Sequence, residues 1–304
     1  VGEADLALNQ RAKQALSYLA QMAPRNLNPI RSILMLADTS PRTAARLMLA
    51  RELAERHDAE VTALFAATPL HAETDGRFAA VAGAAGTLDQ PDARQLARDR
   101  LLLDITGGDE LARVRWAEVV REPVLQAVVQ HALCTDLLVL GQRPATTSFP
   151  HELPAGFIES LLIESGKPAL IVPDHGAASA SPECIVIAWK PSREAARAVT
   201  AALPFLARAR EVHVASWSRN AVVGAAGGLD IVGHLNAHGI TPVVHHRDHE
   251  PRAIGDELMA LAAQVGAQWL VMGCYGHGRL REQVLGGATR SLMHTARLPL
   301  LMVH

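Results

Sequence analysis

Five glycines crowd the stretch GCYGHGRLREQVLGGATRSLMHT near the end of the chain: Gly273, Gly276, Gly278, Gly286 and Gly287. Gly273 follows the apolar run WLVM, which reads as a strand, and Gly286 and Gly287 open the next helical pattern. Glycine lets a backbone approach an anion closely and reach positive φ. A loop between a strand's carboxyl end and a helix N-terminus can turn its N–H groups toward a phosphate, and the helix adds a favourable partial charge. Arg279, Arg281 and Arg290 bring cations to the same stretch. His277 lies inside it, where it either contacts a phosphate or faces solvent. The loop lacks the Gly-Lys-Ser/Thr of a Walker loop, and a dinucleotide fingerprint belongs after a first strand. Glycines that merely close turns are the competing reading, and the position between strand and helix weighs against it.

Other residue types offer less. Fourteen histidines include His234 and His238 at helical spacing, then His245, His246 and His249. Zinc needs three or four converging ligands, and neighbours on a strand point to opposite faces. Solvated or strand-end histidines are therefore expected. The cysteines, Cys134, Cys184 and Cys274, are odd in number and form no CxxC pair. A disulfide framework is not expected, and a reducing cytoplasm fits. Cys274 reads as a small buried residue at a strand end rather than a nucleophile. No GxSxG elbow or HExxH helix occurs. Asp38, Ser40 and Ser192 read as helix N-cap groups.

The elements that must position these groups repeat. SILMLADTSPRTAAR (32–46) parallels CIVIAWKPSREAAR (184–197), and IESLLIESGKPALIVP (158–173) parallels ATRSLMHTARLPLLMVH (288–304). In the second copy the pattern predicts strands over 184–189, 211–217, 240–246, 268–273 and 299–303. Helices are predicted over 192–208, 222–238, 252–266 and 285–297. The first copy gives strands near 32–37, 59–66, 113–119, 136–141 and 169–172, with a variable loop over 70–91. Short Val/Ile/Leu-rich strands alternating with helices imply parallel strands buried on both faces and right-handed crossovers. The predicted fold is α/β, with two tandem doubly wound domains, 27–175 and 182–304, joined by DHGAASASPE. Each would hold a five-stranded parallel sheet flanked by helices. Residues 1–26 read as an amphipathic helix rather than a signal peptide. The chain of 304 residues is 49% hydrophobic and 20% charged, with net charge −2. That balance suits a globular protein and gives no reason to expect nucleic acid or a membrane as partner. No apolar run reaches the ~18 residues of a membrane span.

The spacing Gly273-x2-Gly276-x9-Gly286 resembles the nucleotide loop of universal stress proteins, as do AWKPSREAARAV and the closing GGATRSLMHTARLPLLMVH. The resemblance covers about 30–173 and 183–304 and is tighter in the second copy. It implies an adenine nucleotide, ATP or AMP, at the strand ends, with Mg²⁺ accompanying ATP. The family's phosphate glycines fall on Gly273, Gly276 and Gly286. The next position, Ser or Thr in nucleotide binders, is Gly287. The family's ribose-binding Asp falls on Lys190, which cannot accept hydrogen bonds but can meet a phosphate or pair with a carboxylate. The adenine-contacting residue falls on Trp217, which either stacks on a base or fills the pocket. The first copy keeps the acid as Asp38, but its loop, GQRPATTSFPHELPAG, sets Pro144 three residues after Gly141. Proline offers no N–H, so this copy is expected to be structural.

The resemblance thus implies a stress-response protein that binds or senses a nucleotide in its second domain, helped by Lys190 and Arg279, rather than turning one over. A ligand-free interaction module and a slow ATP hydrolase are the alternatives. PALIV (168–172) and PLLMV (299–303) are expected to pair, within the chain as an internal pseudo-dimer or between two chains in a homodimer.

Overall fold

The computed structural model describes residues 30–38, 40, 42–66, 99, 114–119, 123–142, 153, 156–176, 178–217, 230–247, 253–274 and 287–304. The expected helix over 1–26, the loop over 70–91, Pro144, His249 and the start of the 222–238 helix lie outside them. So do Gly276, His277, Gly278, Arg279, Arg281 and Gly286.

The strands are β1 (Ser32–Ala37), β2 (Glu60–Ala66), β3 (Val114–Val119), β4 (Leu137–Gly141) and β5 (Ala169–Val172), followed by β6 (Cys184–Ala188), β7 (Glu211–Trp217), β8 (Val243–Arg247), β9 (Trp269–Gly273) and β10 (Leu300–Val303). The helices are α1 (Thr43–His57), α2 (Val124–Leu133), α3 (Phe157–Ser165), α4 (Arg193–Leu206), α5 (Ile231–Ala237), α6 (Ile254–Val265) and α7 (Gly287–Thr295). All ten strands join one sheet in the order β3-β2-β1-β4-β5-β10-β9-β6-β7-β8. Read outward from the β5–β10 junction, the two halves share one strand order. Neighbours within each half are parallel. The junction alone is antiparallel, with Leu300 opposite Ile171 and Met302 opposite Ala169. The two closing strands therefore pair within the chain. Each is flanked on its other side by β4 or β9, so neither offers an edge to a second chain.

The strands carry apolar residues on both faces because helices cover both faces. In β6, Ile185 and Ile187 enter one core with α1, α4 and α5. Val186 points the other way, into a core with α2, α3, α6 and α7. Both cores run across the junction. Leu53 and His57 of α1 and Phe205 of α4 meet on one face, with the His57 and Phe205 rings edge to face at 5.1 Å. The connecting segment packs there too, since Ala180 is buried and Ser179 accepts the indole N–H of Trp269 at 2.8 Å.

Local chemistry sets the boundaries. Ser192 caps α4, its Oγ accepting from Ala195 N at 3.1 Å, and Asp230 caps α5. The expectation of caps at Ser40 and Asp38 is corrected, because α1 starts after Arg42 with no side-chain cap. Ser40 supplies its backbone carbonyl to Thr43 N instead, and both side chains serve an arginine described below. β8 begins at Val243 rather than at 240, because Ile240 closes the end of α5, donating to Leu235 O at 3.0 Å after a left-handed Gly239. Among the described residues no helix is long and apolar enough to cross a membrane.

Candidate functional site

In a parallel α/β sheet the carboxyl ends of the strands hold the ligand. In the second half those ends bring together Lys190, Trp217 and Gly273, which follow or close the neighbouring strands β6, β7 and β9. Lys190 is exposed just past β6, four residues before Glu194 in the first turn of α4. Gly273 ends β9 against that same turn. A Cβ built on it would overlap the backbone nitrogen of Ala195 and stand 2.6 Å from the carbonyl carbon of Glu194. The missing side chain thus lets the amino end of α4 press on the strand end. That places helix N–H groups and their partial positive charge at the site.

Acidic charge sits beside them. Glu194 is buried, with Arg193 Nη2 at 3.2 Å from its Oε1. Burial alone would raise the Glu194 carboxyl. Its own backbone N–H, Ser192 and Arg193 outweigh burial and hold the carboxyl below the usual range. Burial, reinforced by Glu194, pushes the Cys274 thiol up to about 12. Cys274 is therefore a neutral, buried thiol, unsuited to nucleophilic work.

Trp217 is also buried, in the core shared with α6 and α7. The Arg247 guanidinium lies over its ring, 5.1 Å from the centroid, and is held by Glu257 at 3.0 Å. The indole nitrogen is buried and finds no hydrogen-bond partner among the described residues. Gly287 opens α7.

The first half is arranged differently at the equivalent place. Asp38, just past β1, accepts from Ser40 N at 3.0 Å, from Thr43 Oγ1 at 2.6 Å and from Arg46 Nη2 at 2.5 Å. Arg46 is 3% exposed. Its guanidinium carbon would stand 2.9 Å from a Cβ on Gly141, which ends β4. Burial favours the neutral acid, but Arg46, with Thr43 and Ser40, holds the Asp38 carboxyl below its ordinary value. An internal ion pair thus fills the strand-end space.

Sequence reasoning missed Arg46, Glu194 and Arg247. An arginine turned inward from the helix matching AAR is indistinguishable in sequence from its exposed counterpart, Arg197.

Residues 183–304 match the model of the Universal stress protein family. The match opens one residue before β6 and takes in the whole second half. The matched residues include Lys190, Trp217 and Gly273. Among solved structures, a universal stress protein from Archaeoglobus fulgidus DSM 4304 is similar, with TM-score 0.62 and 16% identity over 90% of this chain and 95% of that one. A functionally unknown protein from Pseudomonas aeruginosa PAO1 gives TM-score 0.56 and 13% identity over 91% and 93%. At such identities the likeness is one of fold, and it spans both halves. No curated protein matches the chain.

Proposed function

We propose that the chain is a tandem universal stress protein, with domains 27–175 and 182–304 forming an internal pseudo-dimer. Its second domain binds or senses an adenine nucleotide, ATP or AMP, and its first domain is structural. One observation carries this reading: the two strand-end spaces differ. Arg46 closes the first against Asp38 and Gly141. The second leaves Lys190 exposed beside the capped amino end of α4.

Lys190 donates only, so it serves a phosphate rather than a ribose hydroxyl. The nearby carboxylate, Glu194, is buried and paired with Arg193 and makes a poor first ligand for a cation. Mg²⁺ would accompany ATP on the phosphate oxygens and water, as this ion commonly does. The loop residues Gly276, His277, Gly278, Arg279 and Gly286 would supply the remaining phosphate contacts, with Gly287 adding its N–H. Three free cysteines suit a reducing cytoplasm.

Calorimetric titration with ATP, ADP and AMP, with and without Mg²⁺, tests the reading. It expects one site per chain, weakened at least tenfold in Lys190→Glu. Absence of binding at millimolar nucleotide overturns it. The second reading, a ligand-free interaction module, is favoured by the buried Trp217 with Arg247 across its face, which leaves that ring no open side for a base.

A further inference from the structure

At the opposite end of the same sheet, Cys184 begins β6 and Glu211, its registered partner, begins β7. His213 lies two residues along β7 and shares the face of Glu211. Ligand atoms of the three side chains all lie within 4.8 Å of one another. Cys184 and His213 are buried, at 5% and 6% exposure, while Glu211 opens to solvent. The Nε2 of His213 is buried and makes no hydrogen bond among the described residues. It stands 3.6 Å from Glu211 Oε2. Its Nδ1 is 3.0 Å from Nε2 of His245 on β8.

We propose that Cys184, Glu211 and His213 form a zinc-type cation site, with His245 as the residue that orients His213. The donor set is one thiolate, one imidazole and one carboxylate, the mixture a borderline-soft divalent ion takes. Two ligands each about 2.0–2.1 Å from a tetrahedral zinc are roughly 3.3–3.4 Å apart, close to the spacing of His213 Nε2 and Glu211 Oε2. The imidazole is already aimed. If Nδ1–H donates to His245, Nε2 is left as the lone-pair nitrogen facing Cys184 and Glu211. Metal-bound histidines are usually held this way by an outer acceptor.

The other charges at the site are accounted for. Arg210 Nη2 lies 3.2 Å from Glu211 Oε1 and leaves Oε2 to the cation. A bound cation displaces the thiol proton to solvent and keeps the sulfur as thiolate. The exposed Glu211 side gives an entry path and room for a water as fourth ligand. The site lies at the amino ends of the strands and does not depend on the nucleotide reading.

Cobalt(II) titration of the intact chain tests the assignment. One equivalent is expected to produce a thiolate-to-cobalt charge-transfer band with the visible bands of a tetrahedral ion, both abolished by zinc. Cys184→Ser should lose the charge-transfer band. His245→Gln should keep it and weaken affinity by about 10–100-fold. Should Cys184→Ser fail to fold, zinc should still slow alkylation of Cys184 in the unaltered chain and leave the exposed Cys134 unaffected. No charge-transfer band at saturating cobalt, an undiminished band in folded Cys184→Ser, or no protection of Cys184 by zinc would each overturn the proposal.

Discussion

The two strand-end spaces begin from similar sequences and end as different chemistry. In the first half, the helix after β1 turns Arg46 inward, and its guanidinium is spent on Asp38. In the second, the equivalent helix turns its arginine outward. Arg197 is exposed and donates to Gly166 O across the junction at 3.2 Å. The space beside Gly273 then belongs to the backbone of α4 itself, whose first turn is capped by Ser192. The first half thus supplies its own counter-ion to the acid at its strand ends.

Substitutions at the two closing glycines give the largest expected contrast. Gly273→Val sets a side chain into the backbone of α4, which cannot yield without moving the helix. We expect a loss of about 3 kcal/mol or more by urea denaturation. Gly141→Ala meets the end of a side chain instead and should cost about 1 kcal/mol. Equal losses would mean that the halves close in the same way.

Breaking the ion pair is next. Arg46→Met strands a half-buried carboxylate and should cost about 2–3 kcal/mol, and adding Asp38→Asn should recover most of it. The Asp38 pKa is lowered on folding, so its contribution is complete above the ordinary value of 3.8 and fades as pH falls through the lower folded value. Unfolding midpoints of the chain and of Asp38→Asn should therefore converge on acidification. A gap that persists through that range would contradict the pairing.

The junction contributes a milder acid sensitivity. Burial, with Arg208 and Arg56 nearby, lowers the His57 pKa from 6.5 to about 4. The unfolded chain takes up this proton first, so stability is full above 6.5 and declines as pH falls toward 4, by about 2 kcal/mol after allowing for solvent screening. His57→Leu should flatten that limb, and an unchanged slope would place the sensitivity elsewhere. The smallest effect is expected at Arg197→Ala. It removes one exposed contact across the junction and should change stability by less than about 0.5 kcal/mol.

Much of this architecture is legible in the sequence, because short Val/Ile/Leu runs separated by helical periods carry the strand pattern directly. The described strands begin and end within a residue or so of their predicted bounds, except β8. There the sequence holds no sign that Ile240 would finish a helix rather than start a strand. Ser192 is readable as a cap because a Pro-Ser pair precedes an alanine-rich helix. Ser40 sits in a similar Ser-Pro pair, yet Arg46 claims its side chain. What escaped is long-range pairing. Arg46 with Asp38, Arg247 with Trp217 and His213 with His245 each join residues whose meeting depends on register or on the facing of a helix. The histidines that look clustered in sequence, His245 and His246, go to different partners, His213 and Ser216 O. His213, the partner of His245, stands alone among histidines in its own strand.

Photolabelling with an azido-adenine nucleotide, followed by peptide mapping, puts the contrast between the halves to the most direct test. The account predicts label in peptides from 182–304, displaced by unlabelled ATP or AMP, and none in 27–175. Displaceable label in the first half, or no displaceable label at all, would contradict it.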